Sequence, residues 1–150
     1  MSPVAQRLAN IEFSLADLFY RLTCKPGLKL FRGLTRKLMF HAAELGHQPT
    51  LVVFGQRLVY SSVSVREQML GAEYLLRAAQ QGNPEAQWHA GQIYEQGLAQ
   101  YAANDPNAVT WYARAGEQGH RLARQRLAKA YLQGELGLPV SEQKAQDWTE

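Results

Sequence analysis

The sequence has 150 residues, 46% of them apolar and 19% charged, with a formal net charge of +3. This balance is typical of one soluble domain and excludes a chain that is disordered throughout. The small positive charge does not by itself indicate a nucleic-acid or membrane partner. The single cysteine, Cys24, excludes an intramolecular disulfide and a thiolate zinc site, which favours a reducing compartment.

The amino-terminal region does not resemble a secretory signal, because Asn10, Glu12 and Asp17 interrupt its apolar pattern. No stretch approaches the roughly 20 apolar residues that a membrane-spanning helix needs. We therefore expect a cytoplasmic protein without a membrane span.

The first predicted element is a long helix over about residues 3–22. Its apolar residues recur at helical spacing: Leu8, Ile11, Leu15, Leu18, Phe19 and Leu22. The rest of the chain is repetitive, as described below. We interpret this helix as a degenerate second helix of a lost repeat, or as a cap over the apolar edge of the first repeat. With the turn at residues 25–27 and the start of the next helix, it forms a predicted cap region over residues 1–34.

A basic amphipathic helix is predicted to begin near Leu28. Basic residues follow one another at separations of four, three and four, and so share one helix face: Lys25, Lys29, Arg32 and Arg36. This basic strip is either a solvated helix face or a docking surface for an acidic protein, an anionic membrane or a nucleic-acid backbone.

A repeat is visible in the rest of the chain. Residues 42–47 recur as residues 78–83 and again as residues 115–120, and their glycines, Gly46, Gly82 and Gly119, are 36 and 37 residues apart. We call these three the key glycines. Other positions keep the same register, including Leu38, Tyr74 and Trp111 eight residues before each key glycine.

Two segments carry a family resemblance. Residues 111–120, with the sequence WYARAGEQGH, and residues 82–87, GNPEAQ, resemble Sel1-like repeats, which are relatives of tetratricopeptide repeats. The resemblance implies two antiparallel helices per unit, stacked into an α/α superhelix. The predicted fold is thus an all-α solenoid of about three and a half repeats over residues 35–150, within one cooperative domain.

Local signals mark the predicted helix ends. Asn83 and Asp105 each precede a proline and are predicted N-caps, while Ser64 and Glu67 form a possible capping box. Residues 51–60 are rich in valine and aromatic residues and taken alone are typical of a strand. Because the repeat register places them in the second helix of the first unit, we predict a helix there.

Catalytic and metal-binding patterns are absent from the sequence. Of the four histidines, His47 and His120 occupy the same repeat position, which indicates a role at a helix start, and no pair of histidines has the spacing of metal ligands on a helix. We therefore predict a non-enzymatic protein with no metal and no cofactor.

A second basic row follows from the register. His41, Arg77 and Arg114 each stand five residues before a key glycine, so stacked repeats would align them along one surface. These are either ordinary exposed positions or, with Arg32 and Arg36 nearby, contacts for an acidic segment of a partner protein.

The end of the sequence presents an apolar helix face around Trp148 with no following helix to cover it. A homodimer contact, a partner protein or packing on the preceding unit would each cover this possible association edge. The resemblance to Sel1-like repeats implies a bacterial adaptor or scaffold, and we expect it to bind a protein or peptide on its curved surface. The alternative is a nucleic-acid or anionic-surface module that uses the basic strip.

Overall fold

The computed structural model describes residues 2–23, 32–98 and 100–149. These residues contain eight helices and no strand apart from an isolated bridge between Leu98 and Tyr101. The helices are α1 (Pro3–Thr23), α2 (Arg32–Glu44), α3 (Gln48–Ser61), α4 (Val65–Gln80), α5 (Pro84–Gln96), α6 (Asp105–Glu117), α7 (Arg121–Gln133) and α8 (Glu142–Asp147). The predicted all-α class is confirmed.

The chain divides into two compact units, Met1–Phe54 and Gly55–Glu150, so the boundary falls within α3. We describe each unit by itself. The predicted division into a cap over residues 1–34 and repeats over residues 35–150, and the predicted single cooperative domain, stay predictions.

In the first unit, α1 packs against α2. Small residues permit this contact, since Ala9 and Ala16 are completely buried on the face of α1 that carries them. The ring of Phe13 contacts that of His47, with 5.2 Å between ring centroids. The predicted long amino-terminal helix is thus present, and it packs against α2 and His47 within the first unit.

In the second unit, α4 to α8 pack in chain order, each against the next. The main core cluster surrounds the buried ring of Tyr112 with small or aliphatic residues: Ala108, Ala115, Ala123 and Leu127. A Cβ atom added to Gly91 would lie only 2.3 Å from a ring atom of Tyr112. Glycine is therefore required where α5 approaches α6.

The helix ends agree in part with the predicted caps. Asn83 accepts a hydrogen bond from the Ala86 amide at 2.9 Å, as predicted. The cap of α6 is Asn104, one residue before the predicted Asp105, because the Asn104 side chain accepts from the Asn107 amide at 3.0 Å.

The predicted capping box is wrong. Ser64 has the extended backbone of an N-cap, but its side chain makes no capping hydrogen bond. Glu67 instead accepts a hydrogen bond from the Ser62 hydroxyl, which lies outside the helix. Glu67 thus pairs with Ser62, two residues before the serine of the predicted capping box.

The valine-rich residues 51–60 are helical within α3, as the repeat register predicts. Leu51, Val52 and Phe54 are buried in the first unit, and Leu58 and Val59 in the second. Burial of apolar side chains offsets the modest helix propensity of valine.

We predict that Gly91→Ala lowers the free energy of unfolding by about 1–3 kcal/mol, the usual loss on overpacking a filled core. The Tyr112 ring cannot move away easily, since it is buried and its hydroxyl donates to Glu95. The matched control is Gly33→Ala in α2, where an added Cβ meets no atom within 4 Å. Urea unfolding measures both variants, and an equal effect of the two would contradict the packing argument.

Candidate partner-binding surface

The last turns of α4 and α6 present arginines at equivalent positions. Arg114 is exposed, and its guanidinium carbon lies 4.8 Å from the centroid of the Trp111 ring. Arg77 is half-buried. Within the described residues, neither side chain forms a hydrogen bond or an ion pair with an acidic group. Both guanidiniums thus keep their hydrogen-bond donors for another molecule.

A polar bridge fixes the helix pairs that carry these arginines. The buried side chain of Gln87, on α5, donates to the Ala79 carbonyl of α4 at 3.2 Å. Its amide oxygen accepts from the Gln118 side chain, at the end of α6, at 2.7 Å. The Gln87 side chain thus contacts both α4 and the end of α6, which are the first helices of two successive helix pairs. It therefore sets the spacing between the last turn of α4, with Arg77, and the last turn of α6, with Arg114.

A second network surrounds the buried ring of His89. Its Nε2 lies 2.7 Å from the Gln56 amide nitrogen, while its Nδ1 lies 2.9 Å from the Tyr60 hydroxyl and 3.0 Å from Gln92 Oε1. An amide nitrogen can only donate, so Nε2 accepts and Nδ1 carries the proton of a neutral ring. Burial lowers the pKa of His89 and outweighs the nearby negative charge of Glu85, which agrees with this neutral form.

Glu85 lies between two histidines. One carboxylate oxygen is 3.0 Å from His120 Nε2, and the other is 3.3 Å from His89 Nε2. The ring of His120 stacks on Trp88, and its Nδ1 accepts the Ala123 amide as the N-cap of α7. Burial raises the pKa of Glu85, but its hydrogen bond to His120 lowers it overall. The helix-start role predicted for His120 is confirmed.

A third network joins α5, α6 and α7 through Arg126. Its guanidinium donates to Glu95 at 2.5 Å and to Glu135 at 2.6 Å, and the Tyr112 hydroxyl donates to Glu95 at 2.5 Å. Burial raises the pKa of Glu95, yet the hydrogen bonds from Arg126 and Tyr112 bring it below its ordinary value. The same contacts raise the pKa of Arg126. Arg126 is thus paired with both Glu95 and Glu135 within the second unit.

Two rules of register underlie these networks, and neither was predicted from the sequence. The fifth residue after a key glycine reaches the next unit: Gln87 contacts Gln118, and Arg124 donates to the Trp148 carbonyl at 3.2 Å. The seventh residue, His89 or Arg126, contacts the preceding second helix. Polar residues at these otherwise interior positions are the signal that was available in the sequence.

The remaining predicted contacts lie in the first unit or outside the described residues. His41 donates from Nδ1 to Glu12 at 2.6 Å, and this pairs α2 with α1. Arg36 is exposed and Arg32 begins α2. Lys25 and Lys29 lie outside the described residues, and so does Cys24.

Trp148 packs on the cluster around Tyr112 and remains partly exposed. A Cβ added to Gly116 would lie 2.8 Å from its ring, so α6 and this ring approach closely. Of the three ways to cover the apolar face, the structure thus contains packing on the preceding helices. The ring also borders an open cavity of about 390 Å³ beside Arg121 and Arg124.

Neither a metal cluster nor a spanning helix is found in the part of the chain that the structure describes. No three His, Cys, Asp or Glu side chains there are grouped as metal ligands would be. No helix there combines the length and apolar character needed to cross a membrane.

The profile of the Sel1 repeat family matches residues 65–83, 84–120 and 122–150, more than half of the sequence. The chain belongs to the Sel1 repeat family. Proteins built from Sel1 repeats generally mediate protein–protein interaction and are generally non-catalytic. The repeats sit on α4 to α8, where the helix pairs and their polar bridges were described above.

Solved structures of Sel1 repeat proteins resemble this one. A Sel1 repeat protein from Oxalobacter formigenes is 30% identical, with a TM-score of 0.69 over 75% of this chain and 85% of that one. The protective antigen c5321 of uropathogenic Escherichia coli, which has the SLR fold, gives 0.76 at 23% identity over 93% of this chain and 29% of its own. These similarities confirm the solenoid class. No curated protein matches.

A third similar structure is the immunity protein Pa5087 of Pseudomonas aeruginosa, which is 25% identical with a TM-score of 0.57. The match covers 75% of this chain and 42% of that protein. The chain thus spans less than half the length of both the antigen and the immunity protein.

We predict that lowering the pH from 7.5 to 5.5 destabilises this Sel1 repeat protein, partly through His89. Burial holds the folded-state pKa of His89, like that of His47, below the ordinary histidine value of 6.5. The unfolded chain therefore binds more protons below about pH 6.5, and stability falls as the pH falls. The carboxyls of Glu85 and Glu95, whose pKa values are lowered, titrate below this range.

Urea unfolding at each pH tests this prediction in the wild type and in His89→Gln. The variant should lose part of the pH dependence and keep the part that His47 contributes. If the variant retained the full pH dependence, the assignment to His89 would be wrong.

Proposed function

We propose that the chain is a non-catalytic adaptor of the bacterial cytoplasm that binds an acidic segment of a partner protein. The contact row consists of Arg77 and Arg114 in the second unit. The predicted contacts of the first unit, His41, Arg32 and Arg36, stay separate predictions. The observation that carries this proposal is that the guanidiniums of Arg77 and Arg114 have no acidic partner within the described residues, whereas Arg126 of the same unit has two.

The geometry around Arg114 supports a protein ligand. A guanidinium that stacks on an indole keeps its edge free, so it can donate two parallel hydrogen bonds to one carboxylate. Arginine and tryptophan are also the residue types that dominate binding energy in protein interfaces. The pair of Arg114 and Trp111 would therefore serve as an anchor for an aspartate or glutamate side chain.

The polar bridge through Gln87 supports the same proposal. It holds the last turns of α4 and α6 in a fixed relation, and pre-organisation of this kind reduces the entropy lost on binding. A partner with acidic residues at matching separation would then meet two prepared sites. Fold alone does not select the partner, since similar solenoids occur in proteins named as an antigen and as an immunity protein.

The test is an affinity capture with the tagged chain from the cytoplasm of the source cell at moderate salt. It compares the wild type with Arg77→Glu/Arg114→Glu. We expect the reversed pair to retain at least about tenfold less of a discrete protein, because each lost charged hydrogen bond contributes about 1.5–3 kcal/mol. Retention by the wild type should also fall as salt rises.

The matched control is Arg66→Glu/Arg121→Glu, which makes the same change of charge at two exposed positions of the second unit. This control should retain the partner. Equal losses in the two double variants would indicate a general effect of charge, and no loss in either would reject the row as the binding surface.

A further inference from the structure

Helix α1 carries apolar residues on two faces, and only one of them is covered. The face with Ala9 and Ala16 is completely buried. The other face exposes five large apolar side chains: Val4 (77% exposed), Leu8 (44%), Ile11 (57%), Leu15 (41%) and Leu18 (52%). We call these five residues the α1 stripe. An apolar row of this extent on a soluble protein is a mark of an association site.

The spacing of the α1 stripe indicates the shape of its occupant. Its members follow one another at separations of four, three, four and three, which is the pattern of the seam between two packed helices. From Val4 to Leu18 the stripe is roughly 21 Å long, at 1.5 Å per residue. An extended peptide repeats every two residues and does not match this row, whereas an amphipathic helix with apolar residues at the same separations does.

The charged residues around the α1 stripe indicate the net charge that a docking helix should carry. Arg7 borders the stripe on the edge away from the buried alanine face, and the sequence repeats an arginine two heptads later, at residue 21. Residues 1–54 contain seven lysines and arginines against three acidic residues. One of those acids, Glu12, is already engaged by His41.

Residues 1–54 thus carry a formal net charge of +4 (seven minus three), so a second copy of the chain would bring two units of the same sign together. An acidic helix would complement this surface, and opposite charges at the edges of a helical seam select partner and orientation. We propose that the α1 stripe is a docking site for an acidic amphipathic helix of a partner protein. This site lies in the first unit, whereas Arg77 and Arg114 lie in the second.

The experiment measures the binding of two synthetic peptides to the full chain by fluorescence anisotropy. Both peptides are three heptads long and carry leucine at the two seam positions of each heptad. One has glutamate at the flanking positions and the other has lysine. We expect the glutamate peptide to bind with higher affinity, and this preference to shrink as salt rises.

Two variants connect binding to the stripe. Leu8→Gln/Leu15→Gln should weaken binding of the glutamate peptide by at least about tenfold, because both leucines would lose apolar burial in the complex. Arg7→Glu should reduce the preference for glutamate over lysine. The matched control is Val63→Gln/Val140→Gln, which changes two exposed valines of the second unit and should leave binding unchanged. Circular dichroism establishes that each variant remains folded.

Four results would overturn the proposal. Equal binding of the two peptides would show an unselective apolar surface, and failure of both to bind would show that no helix docks there. Sedimentation of a dimer that Leu8→Gln/Leu15→Gln dissociates would identify a second copy as the occupant. Tighter binding to vesicles of phosphatidylglycerol and phosphatidylcholine than to the peptide, lost in the same variant, would identify a membrane surface.

Discussion

The close approach of the α5 backbone to the Tyr112 ring is the contact on which the second unit depends. Gly91 leaves no room for even one methyl group there, and the ring of Tyr112 fills the space between alanines of α6 and α7. Gly116 and Trp148 repeat this relation between α6 and the end of α8. A glycine against an aromatic ring thus joins α5 to α6 and α6 to the end of α8, and these two contacts set how closely those helices approach.

Once the helix pairs are fixed, polar side chains can bridge them with defined geometry. Gln87 joins α4 to the end of α6, and Arg126 joins Glu95 to Glu135. The second of these bridges engages both oxygens of Glu95 and all three nitrogens of the Arg126 guanidinium. Arg77 and Arg114 differ because the structure gives their guanidiniums no acidic partner within the described residues. The proposed function follows from this contrast between bridged and unbridged arginines.

Much of the fold could be predicted from the sequence because small residues and turn glycines recur in it at a fixed spacing. The key glycines take positive φ angles of 78°, 91° and 84°, which few other residues adopt, so their spacing fixes the helix boundaries. The register also placed the valine-rich residues of α3 in a helix against their local propensity. Caps were less predictable, since Asn104 and Asp105 are both good N-cap residues and tertiary context chose between them.

The candidate surfaces were predicted less completely. The row of Arg77 and Arg114 follows from register alone, but the stacking of Arg114 on Trp111 and the Gln87 bridge depend on distances that a sequence does not contain. Four members of the α1 stripe follow from helical periodicity, which predicts a degenerate repeat helix or a cap over the apolar edge of the first repeat. Only the burial of Ala9 and Ala16 reveals that α1 faces its neighbour with small residues and leaves its large ones exposed.

The most direct test of the account is a double-mutant cycle between Gly91→Ala and Tyr112→Leu, with the free energy of unfolding measured in urea for all four proteins. If Gly91 is required because the Tyr112 ring leaves no room for a side chain, the cost of Gly91→Ala comes from its clash with that ring. Gly91→Ala should then lower the free energy of unfolding much less in the Tyr112→Leu protein than in the wild type. We expect a coupling of at least about 1 kcal/mol, within the range for residues in contact. Additive effects would show that Gly91 is required for another reason and would contradict the proposed basis of repeat stacking.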